Sequence, residues 1–430
     1  MENINALLAT LIRRARAYSR LLWVRVMLMG LTAFVAMGTS QMVEAWMPDE
    51  LAQTVTGKSA DRLLQLIASA MLAVTIFSIT VMVSVFQSSS AQWTPRVHRL
   101  IITDKTTQNT MAVFIGAYVY ALLGIILREL GIYGDARAFV LFWMTVVVLV
   151  VIVVYLIRWV LHLQGFGQLL NTIRQVETVT QAKFNDRIAT PCLGAQPLPE
   201  TIPQDVRALP AWKTGYIAQV LPEALNAVAE NHDVQLYLTA AIGAYVYAPD
   251  ALVYVQGDVD DWDKLSQQIA EAIEISDVRN YEQDPGFGLK VMGEVGSKAL
   301  SPGINDAGTA LDVITRIGRI LQTYEDEGTA EPDTLLERLY VPALDAADLV
   351  EAGFAGVARD GAGSFEVQEC LQLTLGKLVT HSDAVMSDAA RDFAAEALAR
   401  GLATLTFEPD RERLIAAAAP CVRQAQKDAQ

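Results

Sequence analysis

Hydrophobic residues gather into four long runs in the first 165 positions: Leu21–Trp46, Leu63–Phe86, Met111–Leu130 and Ala138–Leu161. No comparable run follows in the 430-residue chain. Each run reaches the ~20 residues that a helix needs to cross ~30 Å of hydrocarbon. An open strand would leave backbone groups unpaired in lipid, so the pattern predicts four transmembrane helices. Next, Leu169, Leu170, Ile173, Val176 and Val179 recur at three- to four-residue spacing and predict a polar helix across 164–190. Pro191, Pro197, Pro199, Pro203 and Pro210 then mark a linker. Short β-prone runs follow at Val206–Ala208, Gly215–Val220, Val234–Leu238, Tyr245–Tyr247 and Leu252–Gln256, with a short helix at Pro222–Glu230.

From Asp261 onward the pattern is helical. Trp262–Ile275 has an apolar face of Leu265, Ile269, Ala272 and Ile273. Asp284 followed by Pro285 reads as a helix start. Asp306 is expected to cap a helix over Ala307–Tyr324, and Leu344–Ala352, Val367–His381, Asp383–Leu405 and Glu412–Gln424 predict more helices. The order of β-prone runs resembles a barrel-sandwich module of the biotinyl or lipoyl type. Lys213, before the Gly215-Tyr216 step, is its only lysine, so no carrier lysine is in place and a structural or subunit-contact role is expected. The expected fold is an α-helical membrane protein with four transmembrane helices and a cytoplasmic α+β region. Its parts are a transmembrane domain (1–165), a helical and Pro-rich connector (166–205), a small β-rich module (206–258) and a helical domain (259–430).

Charge divides along the same line. Residues 1–185 carry 15 Lys/Arg and 9 Asp/Glu, whereas 186–430 carry 18 and 39. An acidic soluble half argues against nucleic acid, which rewards clustered Lys and Arg. An anionic lipid surface would also repel it. Positive residues set orientation. Arg13, Arg14, Arg16 and Arg20 precede the first run, Arg96, Arg99 and Lys105 lie between the second and third, and Arg158, Arg174 and Lys183 lie at or after the end of the fourth. The other two loops lack such a positive bias. Both termini and the acidic half are therefore expected on the cytoplasmic side of the membrane. The first run is too long for a cleavable signal and is read as a span. Trp23, Trp46, Trp93, Trp143 and Trp159 lie near run ends, where an aromatic belt would place them. Cys192, Cys370 and Cys421, with four scattered histidines, match neither a metal pattern nor a disulfide framework. No cofactor is expected.

Within the second run, Gln65, Ser69, Thr80, Ser84, Gln87 and Ser88 fall within about 140° on a helical projection. A polar stripe on an oily helix has two readings: a wet wall of a pore or packing glue between helices. Thr75 and Ser78 lie off it. Arg25 is near enough to a run end to snorkel. No run carries a deep carboxylate, which counts against proton- or cation-coupled pumping. No paired Gly/Pro break suggests an inverted repeat either. Four helices make a small wall, so a path would form between subunits.

Asp284 and the Ser301-Pro302-Gly303-Ile304-Asn305-Asp306 segment present acids at two helix starts. Asp284, Ser301, Asn305 and Asp306 are read either as a polar-ligand or cation site or as caps and a tight turn. No Walker loop, GxGxxG, GxSxG or HExxH occurs, so no enzyme activity is expected.

Three stretches carry a family resemblance. They are Phe77-Ser78-Ile79-Thr80 through Gln87–Arg96, Val113–Tyr120, and Gln283-Asp284-Pro285-Gly286-Phe287-Gly288 with Ala299–Asp306. The sequence resembles the bacterial membrane-protein family catalogued as domain of unknown function 2254, over nearly its whole length. Where that family has Pro-Phe-Thr-Ala after Asn-Asp, this chain has Ala307-Gly308-Thr309-Ala310. The resemblance implies a multi-pass protein of the bacterial inner membrane and supplies no catalytic residue. The expected function is a homo-oligomeric, passive channel for ions or small solutes, with monovalent cations as candidate permeants. Its second span lines the path, Gln87–Arg96 forms the mouth, and an acidic vestibule lies below. A non-conducting scaffold or sensor, whose cytoplasmic half binds a partner or ligand, is the alternative.

Overall fold

The computed structural model describes Val24, Met27 and residues 57–92, 94–97, 105–130, 138–165, 169–328 and 336–428. The first expected span lies outside these residues except for Val24 and Met27, both helical. Among the described residues three helices are long and apolar enough to cross a membrane: α1 (Gly57–Gln92), α2 (Lys105–Glu129) and α3 (Ala138–Gly165). α1 outruns its expected bounds at both ends because polar residues such as Lys58 and Gln87 extend a helix that its apolar centre specifies. Contacts divide the chain into two units. The first holds the spans; the second comprises Gln92–Val97 and Thr172–Gln430.

In the membrane unit α2 is the most buried helix. Leu64, Ile67 and Met71 of α1, Phe114, Ala117 and Tyr120 of α2, and Leu141, Ile152 and Trp159 of α3 form one core. Arg128 forks onto Asp61 at 2.8 and 3.0 Å, joining the C-terminal end of α2 to the N-terminal end of α1. Thr107 and His162, 3.3 Å apart, join the start of α2 to the end of α3, so neighbours run antiparallel. Of the belt tryptophans, Trp143 is exposed, while Trp159 is fully buried and stacked on His162. Trp23, Trp46 and Trp93 lie outside the described residues.

The second unit begins on α4 (Leu169–Ala189), which falls within the polar helix predicted over 164–190. The expected linker instead forms a short 3-10 turn, Pro191–Gly194, and β1 (Ala195–Pro197). The next elements are β2 (Val206–Pro210), β3 (Gly215–Val220), α5 (Pro222–Asn231), β4 (Gln235–Leu238), β5 (Tyr245–Val246) and β6 (Ala251–Gln256). They are followed by α6 (Trp262–Ala272), β7 (Ile273–Ser276), α7 (Pro285–Ala299), α8 (Ala307–Leu321) and β8 (Leu336–Val341). Helices α9 (Ala346–Asp360), α10 (Phe365–Leu378), α11 (Ala384–Thr404), α12 (Glu408–Ala417) and α13 (Pro420–Asp428) complete it.

Two sheets result, ordered β1-β8-β4-β6-β2 and β5-β3-β7. β8 pairs parallel with both β1 and β4, and β7 pairs antiparallel with β3. Both sheets therefore recruit strands from beyond Gln256, and the arrangement is a mixed α/β body instead of a closed barrel-sandwich. The helix expected to end at Ile275 stops at Ala272, because Ile273-Glu274-Ile275 alternates buried, exposed, buried. β-branched residues favour that pleated, half-buried edge. The expected C-terminal helix is two, divided at Pro420, which cannot continue a ladder of backbone donors. The remaining helices, α7 to α11, pack on one another with apolar faces centred on Ile317, Val350, Phe354, Leu371 and Leu398.

α4 is held to this unit by ion pairs that desolvation would penalise if unpaired. Glu177 accepts Arg316 at 2.5 Å and also Arg319. Arg187 forks onto the fully buried Glu327 at 2.5 and 2.8 Å, and Glu327 accepts the amide of Leu344.

Candidate functional site: an outward polar stripe and a charged cavity

α1 sorts its residues by face. Ala60, Leu64, Ile67, Ala68, Met71, Thr75 and Ser78 are buried, and they cluster on one side of the helix. Gln65, Ser69, Thr80, Ser84 and Gln87 are exposed, on the opposite side. Ser88 is on α1, and its side chain is outside the described residues. Among the described residues the stripe is thus not what packs α1. That contact uses Thr75 and Ser78, the two polar residues off the stripe. The Thr75 hydroxyl donates to the Met71 carbonyl at 2.6 Å. Two stripe hydroxyls also turn back on their own helix. Ser69 donates to the Gln65 carbonyl at 3.0 Å and Thr80 to Ile76 at 2.9 Å. Leu66, Ile76, Phe77 and Val83 share the exposed face, so polar and apolar side chains alternate along it.

The second unit contains a cavity of about 600 Å³ between α7, α9 and the loop Ala241–Ala244. Caps start both helices. The Asp284 carboxylate accepts the Phe287 amide at 2.8 Å, and Asp345 accepts that of Asp348 at 2.9 Å. The helices run parallel and close together, because a Cβ on Gly293 would run into the Gly353 carbonyl. At the cavity's end Arg279 forks onto Asp284 at 2.8 and 2.9 Å and lies over the Phe287 ring. Gly243, at φ +85, brings its backbone against that carboxylate, where a Cβ would collide with it. α7 contributes Lys290, Glu294 and Ser297 to the wall; α9 contributes Asp345, Asp348, Glu351 and Arg359. Glu294 is paired with Arg96, from the segment that follows α1. Arg359 pairs with Asp360 at 2.7 Å, which holds that carboxyl below the usual carboxylate range.

Of the residues singled out from the sequence, only Asp284 lines the cavity. Ser301, Asn305 and Asp306 lie together in the turn before α8. The Asn305 and Ile304 amides donate to the Ser301 carbonyl, Asn305 sits at φ +52, and Asp306 accepts the Thr309 amide at 3.1 Å and its hydroxyl at 2.5 Å. Caps and a tight turn account for these groups. Arg279 and the Asp345, Asp348, Glu351 series escaped the sequence reading, although their spacing was readable: five residues from Asp284, and every third residue on a predicted helix. Nothing local signals the 198-residue pairing of Arg96 with Glu294.

Burial, with the nearby Glu327 carboxylate, pushes the Cys192 thiol up to about 12, which removes it as a nucleophile. Among the described residues no group of His, Cys, Asp and Glu is arranged to hold a metal ion.

Comparison with known proteins supports a membrane protein. Uncharacterized proteins of Mycobacterium bovis and Mycobacterium tuberculosis are each 24% identical over 261 residues, covering 57% of this chain and 48% of the relative. The chain spans about half the length of the curated relatives it matches. No solved structure matches it. The model of a family described as predicted membrane protein (DUF2254) matches residues 19–377, and the chain belongs to that family.

Proposed function

We propose that the protein is a homo-oligomeric channel of the bacterial inner membrane, with a passive path for ions or small solutes formed between copies and walled by α1. The observation that carries this reading is the orientation of the stripe. Gln65, Ser69, Thr80, Ser84 and Gln87 lie on the exposed face of α1, opposite the side that packs on the other described residues. Polar groups at membrane depth are costly in lipid and favour water or a polar partner. A symmetric ring of α1 faces supplies both. The excess of 39 Asp/Glu over 18 Lys/Arg in residues 186–430 would concentrate monovalent cations near the path. The positive residues flanking the spans favour a cytoplasmic placement of that acidic part and of both termini. This reading assigns the protein no catalysed reaction and no cofactor.

The test is flux. Purified protein in liposomes is expected to pass K⁺ down its gradient, and Ser84→Leu to cut the rate several-fold while leaving oligomer size unchanged. Tight liposomes across voltage, tension and pH, or a particle that stays monomeric in mild detergent, would overturn the channel.

The second reading is a membrane sensor that does not conduct. The cavity between α7 and α9 favours it, because a recess of about 600 Å³ is of ligand size.

A further inference from the structure

Exposed aromatic side chains of the second unit gather at one end of the three-stranded sheet. Tyr247 is 60% exposed, Tyr245 47% and Trp212 41%. Tyr216 and Tyr245 are opposite each other on β3 and β5 and meet edge to face at 4.8 Å, and Tyr245 meets Tyr247 at 5.1 Å. Trp212 precedes β3 in a turn tied to the same end: the Ala248 amide donates to the Thr214 hydroxyl at 3.0 Å, and the Ala211 amide to the Asp250 carbonyl at 2.8 Å. Exposed Val278 follows Asp277, which reaches Lys213 at 4.0 Å. The core beneath is built without these rings, from Ile217, Val220, Val246 and Ile275. Single exposed aromatics are ordinary, but a contiguous group on a soluble body marks a contact surface. Tyr and Trp are also the side chains that interfaces favour.

Charge and area select the partner. The surplus of 39 Asp/Glu over 18 Lys/Arg in residues 186–430 repels nucleic acid and an anionic lipid surface. It repels a second copy as well, except where the facing surfaces are uncharged or matched. The aromatic end is both. Its rings carry no charge, and Lys213 and Asp277 lie beside them as an exposed, loosely held pair. About a two-fold axis that pair is self-complementary, Lys213 facing Asp277 of the second copy and the reverse. Strand addition is not the mode. β5 ends its sheet but is two residues long, and the turn after it engages the Tyr247 amide with the Asp250 carboxylate and the Tyr247 carbonyl with the Asp250 amide. The contact is therefore made by side chains. Half-exposed aromatic residues bring roughly 100 Å² each, so each copy supplies roughly 400 Å², half of the ~800 Å² per partner of a standard interface. That area suits chains already confined to one membrane, where the effective concentration is high.

We propose that Trp212, Tyr216, Tyr245, Tyr247 and Val278 form a contact between two copies of this chain, isologous about a two-fold axis, with Lys213 and Asp277 paired across it. An assembly built on this contact has an even number of copies. The proposal rests on the oligomeric part of the channel reading and is independent of conduction.

The experiment is cross-linking of the full-length protein in membranes with a short bis-maleimide. Tyr247→Cys in a Cys421→Ser background is expected to yield a covalent dimer of the chain with itself, and Ser382→Cys, between α10 and α11, to yield none. Differently tagged Lys213→Asp and Asp277→Lys chains, each carrying Tyr247→Cys, are expected to link to each other at least fivefold more than to themselves, a preference that misfolding does not mimic. Y245S/Y247S is expected to raise the dissociation constant of the particle in mild detergent at least tenfold with its melting temperature unchanged. Linkage to a different protein, no linkage at Tyr247→Cys, no preference in the mixed pair, or an odd number of copies would each overturn the contact. An oligomer of unchanged affinity in Y245S/Y247S would overturn this contact alone, whereas a chain that is monomeric in the membrane would overturn the channel with it.

Discussion

The two units handle polarity in opposite ways. In the membrane unit several hydroxyls satisfy themselves locally. Ser69, Thr75, Thr80 and Thr145 each donate to a carbonyl of their own helix four residues back. Stripe polarity is turned outward, away from the chain's own core. In the second unit polarity is satisfied across long stretches of sequence by charge. Arg187–Glu327 joins residues 140 apart, Arg316–Glu177 joins residues 139 apart, and both lie inside the packing. Water is scarce in both places and the backbone obeys the same rules. What differs is the reference state. Lipid makes an unpaired charge costly, so what charge the spans carry lies toward their ends, as in the Arg128–Asp61 pair. A soluble core tolerates a charge when it is forked onto an opposite one.

The largest expected break in this contrast is at Arg187. Arg187→Ala leaves Glu327 buried and unpaired and should cost about 3–5 kcal/mol in urea unfolding of the second unit. R187M/E327L, which removes both charges, should recover most of it. A loss below about 1 kcal/mol from Arg187→Ala would mean that the pair is solvated and the contrast false. Next is close packing. Gly293→Ala drives a methyl against the Gly353 carbonyl and should cost about 1–3 kcal/mol. Ser69→Ala, on the open face of α1, should be near neutral for monomer stability, within about 0.5 kcal/mol.

Much of this was legible in the sequence. Runs of apolar residues reported α1, α2 and α3, because crossing lipid forces length and uniformity on a helix. Asp284-Pro285 and Asp306 announced α7 and α8, because a cap is a local device within four residues of the group it satisfies. The strand pairings were not legible. β8 sits between β1 and β4 although about 140 residues separate it from β1 in the chain, and its pattern Leu336-Glu337-Arg338-Leu339 fits a helix as readily as a strand. Isolated β-prone runs therefore read as one small module when their partners came from elsewhere. Of the cavity, Asp284 stood out and its partner Arg279 did not. Which face of α1 the stripe occupies required the packing of α2.

Smaller effects sharpen the same picture. Asp306→Ala removes a helix cap and should cost about 1 kcal/mol, readable as a small drop in melting temperature. A much larger loss would give the turn before α8 a role beyond capping. Alkali should also separate buried from exposed thiols. A free thiol loses its proton near 9.0 and folded Cys192 near 12. Between these values the unfolded chain binds fewer protons than the folded one, so stability falls as pH rises, by about 1 kcal/mol by pH 10 from this group. Tyr324, its hydroxyl pushed up by burial and by Asp326, adds in the same direction at higher pH. Alkylation at pH 8 should label exposed Cys421 and leave Cys192 unmodified.

Whether the open face of α1 is wet decides the central claim. A charged, water-soluble thiol reagent applied to membranes carrying Ser69→Cys, Thr80→Cys or Ser84→Cys, in a Cys421→Ser background, measures it directly, with Ser78→Cys as the buried reference. The account predicts reaction at the three stripe positions and silence at Ser78. Stripe positions as silent as Ser78 would mean that the face lies against lipid or dry protein, and no path runs along it.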